Sequence, residues 1–146
     1  MECLSCKALR KEISLSPAEP IYEGNYWQLV HGYPVAIIGW LVIVLRRHAE
    51  ALHDLTANEI SELAFIQNRA CKALQEELGT EKEYSLCLSE KEGFHHIHIH
   101  LIGISKELPK EKRGLAIFSI LGTSKDTSIP DSDIVRFSRK VQWHFE

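Results

Sequence analysis

The 146-residue chain predicts an α+β fold, a mainly antiparallel sheet of about five strands flanked by one long helix and a short C-terminal helix. Three observations carry this. Trp40-Leu41-Val42-Ile43-Val44-Leu45 is an uninterrupted apolar run of strand length, rich in branched side chains. A helical repeat of apolar residues follows it, between a capping signal at Thr56 and a stop at Gly79. Strand-like segments then return, with no strand-helix-strand unit repeated at similar lengths, which favours antiparallel pairing.

Residues 1–20 are polar, contain Pro17 and Pro20, and read as an arm whose one distinctive feature is Cys3-Leu4-Ser5-Cys6. Tyr26 to Val30 is aromatic and branched and reads as a strand, with a turn signal at Gly32, Tyr33 and Pro34. Trp40 to Leu45 is expected at the centre of the sheet and ends abruptly at Arg46-Arg47-His48. Thr56 with Glu59 forms a capping box, and Ile60, Leu63, Ala64, Ala70, Cys71, Leu74 and Leu78 recur on one face of a helix of about 22 residues. Tyr84 to Ser89 and Phe94 to Ile102 read as two more strands around a short polar loop. Lys106 to Arg113 is a charged loop, and Leu115 to Leu121 is compatible with either helix or strand. Asp131-Ser132-Asp133 ahead of Ile134, Val135, Phe137 and Val141 predicts a short helix with a polar N-cap. With no internal repeat or low-complexity stretch, residues 1–146 form one domain, with 123–146 as a C-terminal extension.

Composition narrows the function classes. A net charge of −3 and a pI near 6.2, with no basic stripe, argue against a general nucleic-acid binder, although a few local donors suffice for a small phosphate ligand. The longest apolar run, Tyr33 to Leu45, is broken by Pro34 and Gly39 and falls short of the roughly 20 residues that span a membrane. The first seven residues lack the apolar core of a secretory signal, so a cytoplasmic protein with reduced cysteines is expected.

The chemistry concentrates in Phe94-His95-His96-Ile97-His98-Ile99-His100-Leu101-Ile102. On a strand, alternate side chains share a face, so His96, His98 and His100 line one side at about 7 Å spacing while Ile97, Ile99 and Leu101 enter the core. A lone histidine is ordinarily a satisfied core or surface residue, and His95 is read that way. Three in strict alternation opposite three aliphatics point to a site. A neutral imidazole is a good nucleophile toward phosphorus, and neighbouring imidazoles can donate to oxygens that gain charge. His98, with a partner on each side, is the natural attacker. The competing chemistry is a metal hydrolase in which the histidines ligate a catalytic zinc. Cys3 and Cys6 fit half of a Cys₂His₂ zinc site, with a redox dithiol as the other reading of that spacing, although no strand-then-helix context supports the latter. Cys71 and Cys87 sit where a free cysteine packs as a small apolar residue.

His96 through Ile102 satisfy the pattern His-φ-His-φ-His-φ-φ, with φ apolar, and on these residues the chain resembles the histidine triad family. Gly39 to His48 is similar to the family's strand ending in a basic residue and a histidine, and Leu52 to Glu59 to its Leu-x-x-Leu-Thr-x-x-Glu helix opening. The resemblance covers roughly residues 3–122. It implies that His98 forms a covalent nucleotidyl-histidine, that His100 contacts the phosphate and leaving group, and that His96 orients the active strand. In zinc-containing relatives, positions matching His48 and His96 ligate zinc with a Cys-x-x-Cys, so the resemblance implies a closed structural site of Cys3, Cys6, His48 and His96. It also implies a homodimer packed through its long helices.

This chain departs from the family pattern in places. Lys91-Glu92-Gly93-Phe94 stands where Gly-Gln-Ser/Thr often precedes the triad, and Gly103-Ile104 follows where Pro-Arg is common. Ser89 takes a position that often carries an amide, and His31 or its neighbourhood stands where an acidic or amide group holds the ribose, so both are expected at the nucleotide. The implied activity is hydrolysis at the α-phosphate of an NMP-X compound such as a nucleoside phosphoramidate (AMP-X) or a dinucleoside polyphosphate. The alternatives are nucleotidyl transfer to another acceptor and a nucleotide-binding module without turnover.

Overall fold

A computed structural model describes residues 2–120 and 124–146. Helix α1 (Leu4–Leu9) is followed by strands β1 (Tyr22–Glu23), β2 (Trp27–His31) and β3 (Trp40–Leu45), and then by helix α2 (Ala57–Leu78). Strands β4 (Lys82–Leu86) and β5 (His98–Ile104) complete a sheet of order β1-β2-β3-β5-β4, antiparallel at every pairing, and helix α3 (Asp131–Trp143) ends the chain. The fold is α+β, as the sequence predicts. Among the described residues, no helix is long and apolar enough to cross a membrane.

Register assigns the two faces of the sheet. Leu29, Ile43 and Ile99 lie in one row, and His31, Leu41 and Leu101 in the next, all buried. Ile66, Ala70, Ala73 and Leu74 of α2 and Phe137 and Val141 of α3 cover this face and form the main core. The opposite face carries Gln28, Val44 and His98 in one row and Val30, Val42, His100 and Leu86 in the next. A second core of Val35, Trp40, Ile102, Ile104, Ile117 and Ile120 covers only the part of that face beyond His100. The histidines therefore sit where the covered half of the face gives way to the open half.

Helix α2 starts and stops as its sequence dictates. Thr56 caps the Glu59 amide at 3.2 Å, the Glu59 carboxylate returns the bond to Thr56 N–H at 2.8 Å, and Gly79 closes the helix at φ 63. The Glu59 carboxylate also takes a forked pair of bonds from Arg47, at 2.7 and 2.9 Å. The Arg47 hydrogen bond holds it at about pKa 2 against the cost of burial. The end of β3 is thus tied to the start of α2, which shapes the segment between them that carries His48. Glu62 accepts from the amides of Asn25, Tyr26 and Trp27 at 2.8, 2.8 and 2.9 Å and pins the β1–β2 turn to the same helix.

Several boundaries depart from expectation. The arm contains α1, capped by the Cys3 thiol, which accepts from Cys6 N–H at 3.3 Å. The two-residue β1 carries too short a pattern to read. Strand β5 starts at His98 rather than Phe94 and runs on to Ile104, because amides ahead of it donate elsewhere: Phe94 N–H to Lys91, His96 N–H to Phe94 and Ile97 N–H to Ala49. Strand β4 ends at Leu86, short of Ser89, and Gly114–Ser119 forms a 3₁₀ helix. The last residue of the ambiguous 115–121 stretch, and the 122–123 boundary, lie outside the described residues. On α2, Ile60 and Ala64 are exposed, whereas Ile66 and Ala73 are buried. Helix α3 takes Pro130 rather than a polar residue as its N-cap, with Asp131 and Asp133 in the first turn facing the positive end of the helix dipole.

Candidate functional site

The triad splits into two units. His98 and His100 share one face of β5, with ring centroids 5.2 Å apart and planes at 83°. His96 lies in the preceding bend, fully buried, and turns toward the arm. The sequence expectation of three imidazoles in one strand row is corrected to two, because the chain bends before the strand begins.

His98 is anchored on two sides. Its Nδ1 lies 2.7 Å from the His96 carbonyl, and a carbonyl only accepts, so the proton sits on Nδ1 and Nε2 carries the lone pair. Burial holds this imidazole below the ordinary histidine range, opposed by the hydrogen bond to His96. The His98 amide donates to the Ser89 hydroxyl at 3.2 Å, and that hydroxyl lies 3.4 Å from the His98 carbonyl. Ser89 sits at φ 55, a left-handed turn that brings its side chain to the strand after β4 has ended. Ser89 is therefore beside His98, but its hydroxyl is engaged by the main chain rather than turned toward a ligand.

His100 is held by a residue that sequence reasoning assigned only to the sheet. The indole N–H of Trp40 donates to His100 Nδ1 at 2.9 Å. Burial first, and the neighbouring His98 second, bring His100 down to about pKa 4. Trp40 pairs with Ile102 across β3 and β5, diagonal to His100, a relation that only the register reveals. Phe94 is the other missed neighbour: its ring lies 6.4 Å from that of His98, and the Lys91 ammonium sits over the Phe94 ring, 5.6 Å from its centroid.

Cys3, Cys6, His48 and His96 offer four ligand atoms that all lie within 4.8 Å of one another. Cys3 Sγ is 3.4 Å from His96 Nδ1, and Cys6 Sγ is 3.4 Å from His48 Nδ1 and 3.5 Å from His96 Nδ1. Tetrahedral zinc with bonds of about 2.3 Å to sulfur and 2.0–2.1 Å to nitrogen would set sulfur and nitrogen about 3.5 Å apart. The donor set and its spacing fit such an ion. The remaining ring nitrogens are oriented too, with His96 Nε2 against the Leu45 carbonyl at 2.6 Å and His48 Nε2 against Glu50 at 3.4 Å. Leu4 N–H donates to the Gly93 carbonyl at 2.8 Å, tying the arm to the loop ahead of the triad. Beside the cluster, a groove of about 410 Å³ is lined by Cys6, Arg10, Glu23, Gln28, Arg46 and His48, and by neither His98 nor His100.

The structure does not bring His31 into this group. It lies on the helix-covered face, in register with Leu41, with Nδ1 2.8 Å from the Gly32 carbonyl and Nε2 accepting from Gly39 N–H at 3.1 Å. Strand parity explains this, since His31 follows Leu29 by two residues and shares its face. Burial lowers its pKa from 6.5 to about 4. The unfolded chain then binds the proton first, so stability falls as pH drops from 6.5 to about 4, by about 1.4 kcal/mol per pH unit within the window. Urea unfolding of the parent and of His31→Asn between pH 7 and 4.5 checks this. The variant should show the shallower slope whatever its absolute stability, and equal slopes would remove His31 from the acid response.

Comparisons with known proteins agree with this geometry. Residues 3–115 match the model of the family described as scavenger mRNA decapping enzyme C-term binding. A 68-residue stretch is 31% identical to the m7GpppX diphosphatase of Ascaris suum, covering 46% of this chain and only 23% of that protein. The fold is similar to that of a zinc-bound histidine triad family protein from Mycobacterium smegmatis, with TM-score 0.70 and 16% identity over 98% of this chain and 94% of that one. It is also similar to a hypothetical histidine triad nucleotide-binding protein from Sulfolobus tokodaii, with TM-score 0.71 and 12% identity over 97% and 91% of the two chains. Since the family model spans most of the sequence and these structures share its architecture, the chain belongs to the histidine triad family.

Proposed function

We propose that this protein is a nucleotide hydrolase that cleaves NMP-X compounds, dinucleoside polyphosphates or nucleoside phosphoramidates, at the α-phosphate through a nucleotidyl-histidine on His98. The observation that carries this is the 2.7 Å contact from His98 Nδ1 to the His96 carbonyl, which leaves Nε2 unprotonated beside His100. In the first step Nε2 attacks phosphorus, an N–P bond forms, and the bond from phosphorus to X breaks with its electron pair leaving on X. The positive charge that develops on the His98 ring is shared with the His96 carbonyl through Nδ1–H. In the second step water attacks phosphorus, the N–P bond breaks with its electron pair returning to His98 Nε2, the water's proton passes to solvent, and NMP leaves. His100 supplies hydrogen bonding to the phosphoryl oxygens during both steps.

The Cys/His cluster supports a structural zinc rather than a catalytic one. Its donors are two thiols and two imidazoles, a complete tetrahedral set with no open position, and His98 and His100 stand outside it. A bound zinc would fix the arm against the loop that positions the His96 carbonyl.

The name of the Ascaris suum relative adds capped dinucleoside triphosphates to the compounds worth testing. The test is turnover of AMP-phosphoramidate, diadenosine polyphosphates and an m7GpppG cap analogue in ¹⁸O-water. The expected result is NMP carrying one ¹⁸O, with a nucleotidyl adduct, preserved by an alkaline quench, on the peptide containing His98. Label in the leaving phosphate instead of NMP, or no NMP from any substrate, would overturn the assignment.

A further inference from the structure

Two adjacent imidazoles on β5 are held in opposite tautomers by partners that leave no choice. His98 faces a carbonyl, which only accepts, so its Nδ1 bears the proton. His100 faces an indole N–H, which only donates, so its Nδ1 is bare and the proton of the neutral ring sits on Nε2. One ring thus offers a lone pair and its neighbour an N–H donor, with centroids 5.2 Å apart. We propose that Trp40 is a positioning residue for phosphoryl transfer, holding His100 as an Nε2–H donor toward the phosphoryl oxygens while the His96 carbonyl holds His98 as the nucleophile.

The mount for this donor is rigid. Trp40 is fully buried in the second core, begins strand β3, and meets the His100 ring edge-on, with planes at 85° and centroids 5.7 Å apart. A protonated His100 would set an Nδ1–H against the indole N–H, two donors with no acceptor between them, so the same contact also keeps the ring neutral. Burial of His100 acts in the same direction. Preorganised donors of this kind act in the transition state without reorganising. The catalytic part of the inference rests on the nucleotidyl-transfer reading, whereas the tautomer assignment does not.

The test uses ¹⁵N-histidine NMR on the full chain, which reads tautomers directly, together with steady-state kinetics on whichever NMP-X substrate turns over. In the parent, His100 should show a bare Nδ1 and a protonated Nε2, and His98 the reverse. In Trp40→Phe the His100 preference should be lost while the His98 pattern persists, with kcat down roughly 10- to 100-fold and KM little changed. Because phenylalanine leaves a gap in the second core, site-specific replacement of Trp40 by benzothienylalanine provides the second variant. It keeps the ring shape and removes only the N–H donor, and Trp27, whose own indole bonds to the Glu59 carbonyl at 2.7 Å, is left intact. It should reproduce both effects with the melting temperature preserved. A parent His100 protonated at Nδ1, or a folded benzothienyl variant with kcat within twofold of the parent, would overturn the proposal. Correct tautomers without turnover of any substrate would instead sink the hydrolase reading and the catalytic role of Trp40 with it.

Discussion

His98→Ala should lower kcat by about 10⁴-fold or more, because it removes the atom proposed to form the new bond to phosphorus. The expected residue of activity is what oriented donors and binding alone provide. His100→Ala should cost less, about 10²- to 10³-fold, since it deletes a hydrogen-bond donor and leaves the nucleophile in place. The two variants therefore rank the roles, and the ranking is the point of the experiment. Neither substitution empties the main core, because both side chains lie on the face opposite Leu29, Ile43 and Ile99. Circular dichroism melts run beside the kinetics should show a folded domain in both cases. NMP release by His98→Ala at the parental rate, or loss of activity in His100→Ala greater than in His98→Ala, would move the nucleophile elsewhere.

Much of this site was legible because the strongest sequence signals are local. Strict alternation placed His98 and His100 on one face and Ile99 and Leu101 on the other, and the strand shows that arrangement. Trp40 to Leu45 and the Thr56-to-Gly79 helix carry their own start and stop signals, and their observed bounds match them. What stayed hidden depends on contacts distant in sequence. The chain leaves strand geometry at His96 because Ile97 N–H finds the Ala49 carbonyl and the His96 ring finds Leu45 and the arm, bonds that no window around residue 96 contains. The donor to His100 comes from a tryptophan 60 positions earlier, whose place in an apolar run marks it only as sheet interior. His31 was misplaced for the converse reason. A histidine near the end of a strand suggests chemistry, yet its parity with Leu29 sends it into the main core, where two backbone groups satisfy it.

Removing the metal that the Cys/His cluster is proposed to hold should have the second large effect, on stability before chemistry. A ligand bound to the native state alone stabilises it by about 4 kcal/mol at a thousandfold excess over Kd. For a domain of this size that corresponds to a melting shift of roughly 10–15 °C. The same loss is expected in Cys3→Ser/Cys6→Ser, since the two thiols hold α1 to the His96 ring. Burial and the adjacent Cys3 raise the Cys6 thiol above its ordinary pKa, so Cys6 resists ionising unless a cation is placed beside its sulfur. Elemental analysis should find one zinc per chain, and cobalt substitution should give the absorption of a tetrahedral S₂N₂ site. Activity should fall by a smaller factor than in His98→Ala, because the His96 side chain is a proposed ligand while its carbonyl orients His98, so a loosened cluster blurs the proposed nucleophile without deleting it. A zinc-loaded chain that melts at the same temperature before and after chelation would remove the ion from the structure. Abolition of turnover on chelation, with the fold intact and at the level of His98→Ala, would return the metal to the chemistry itself.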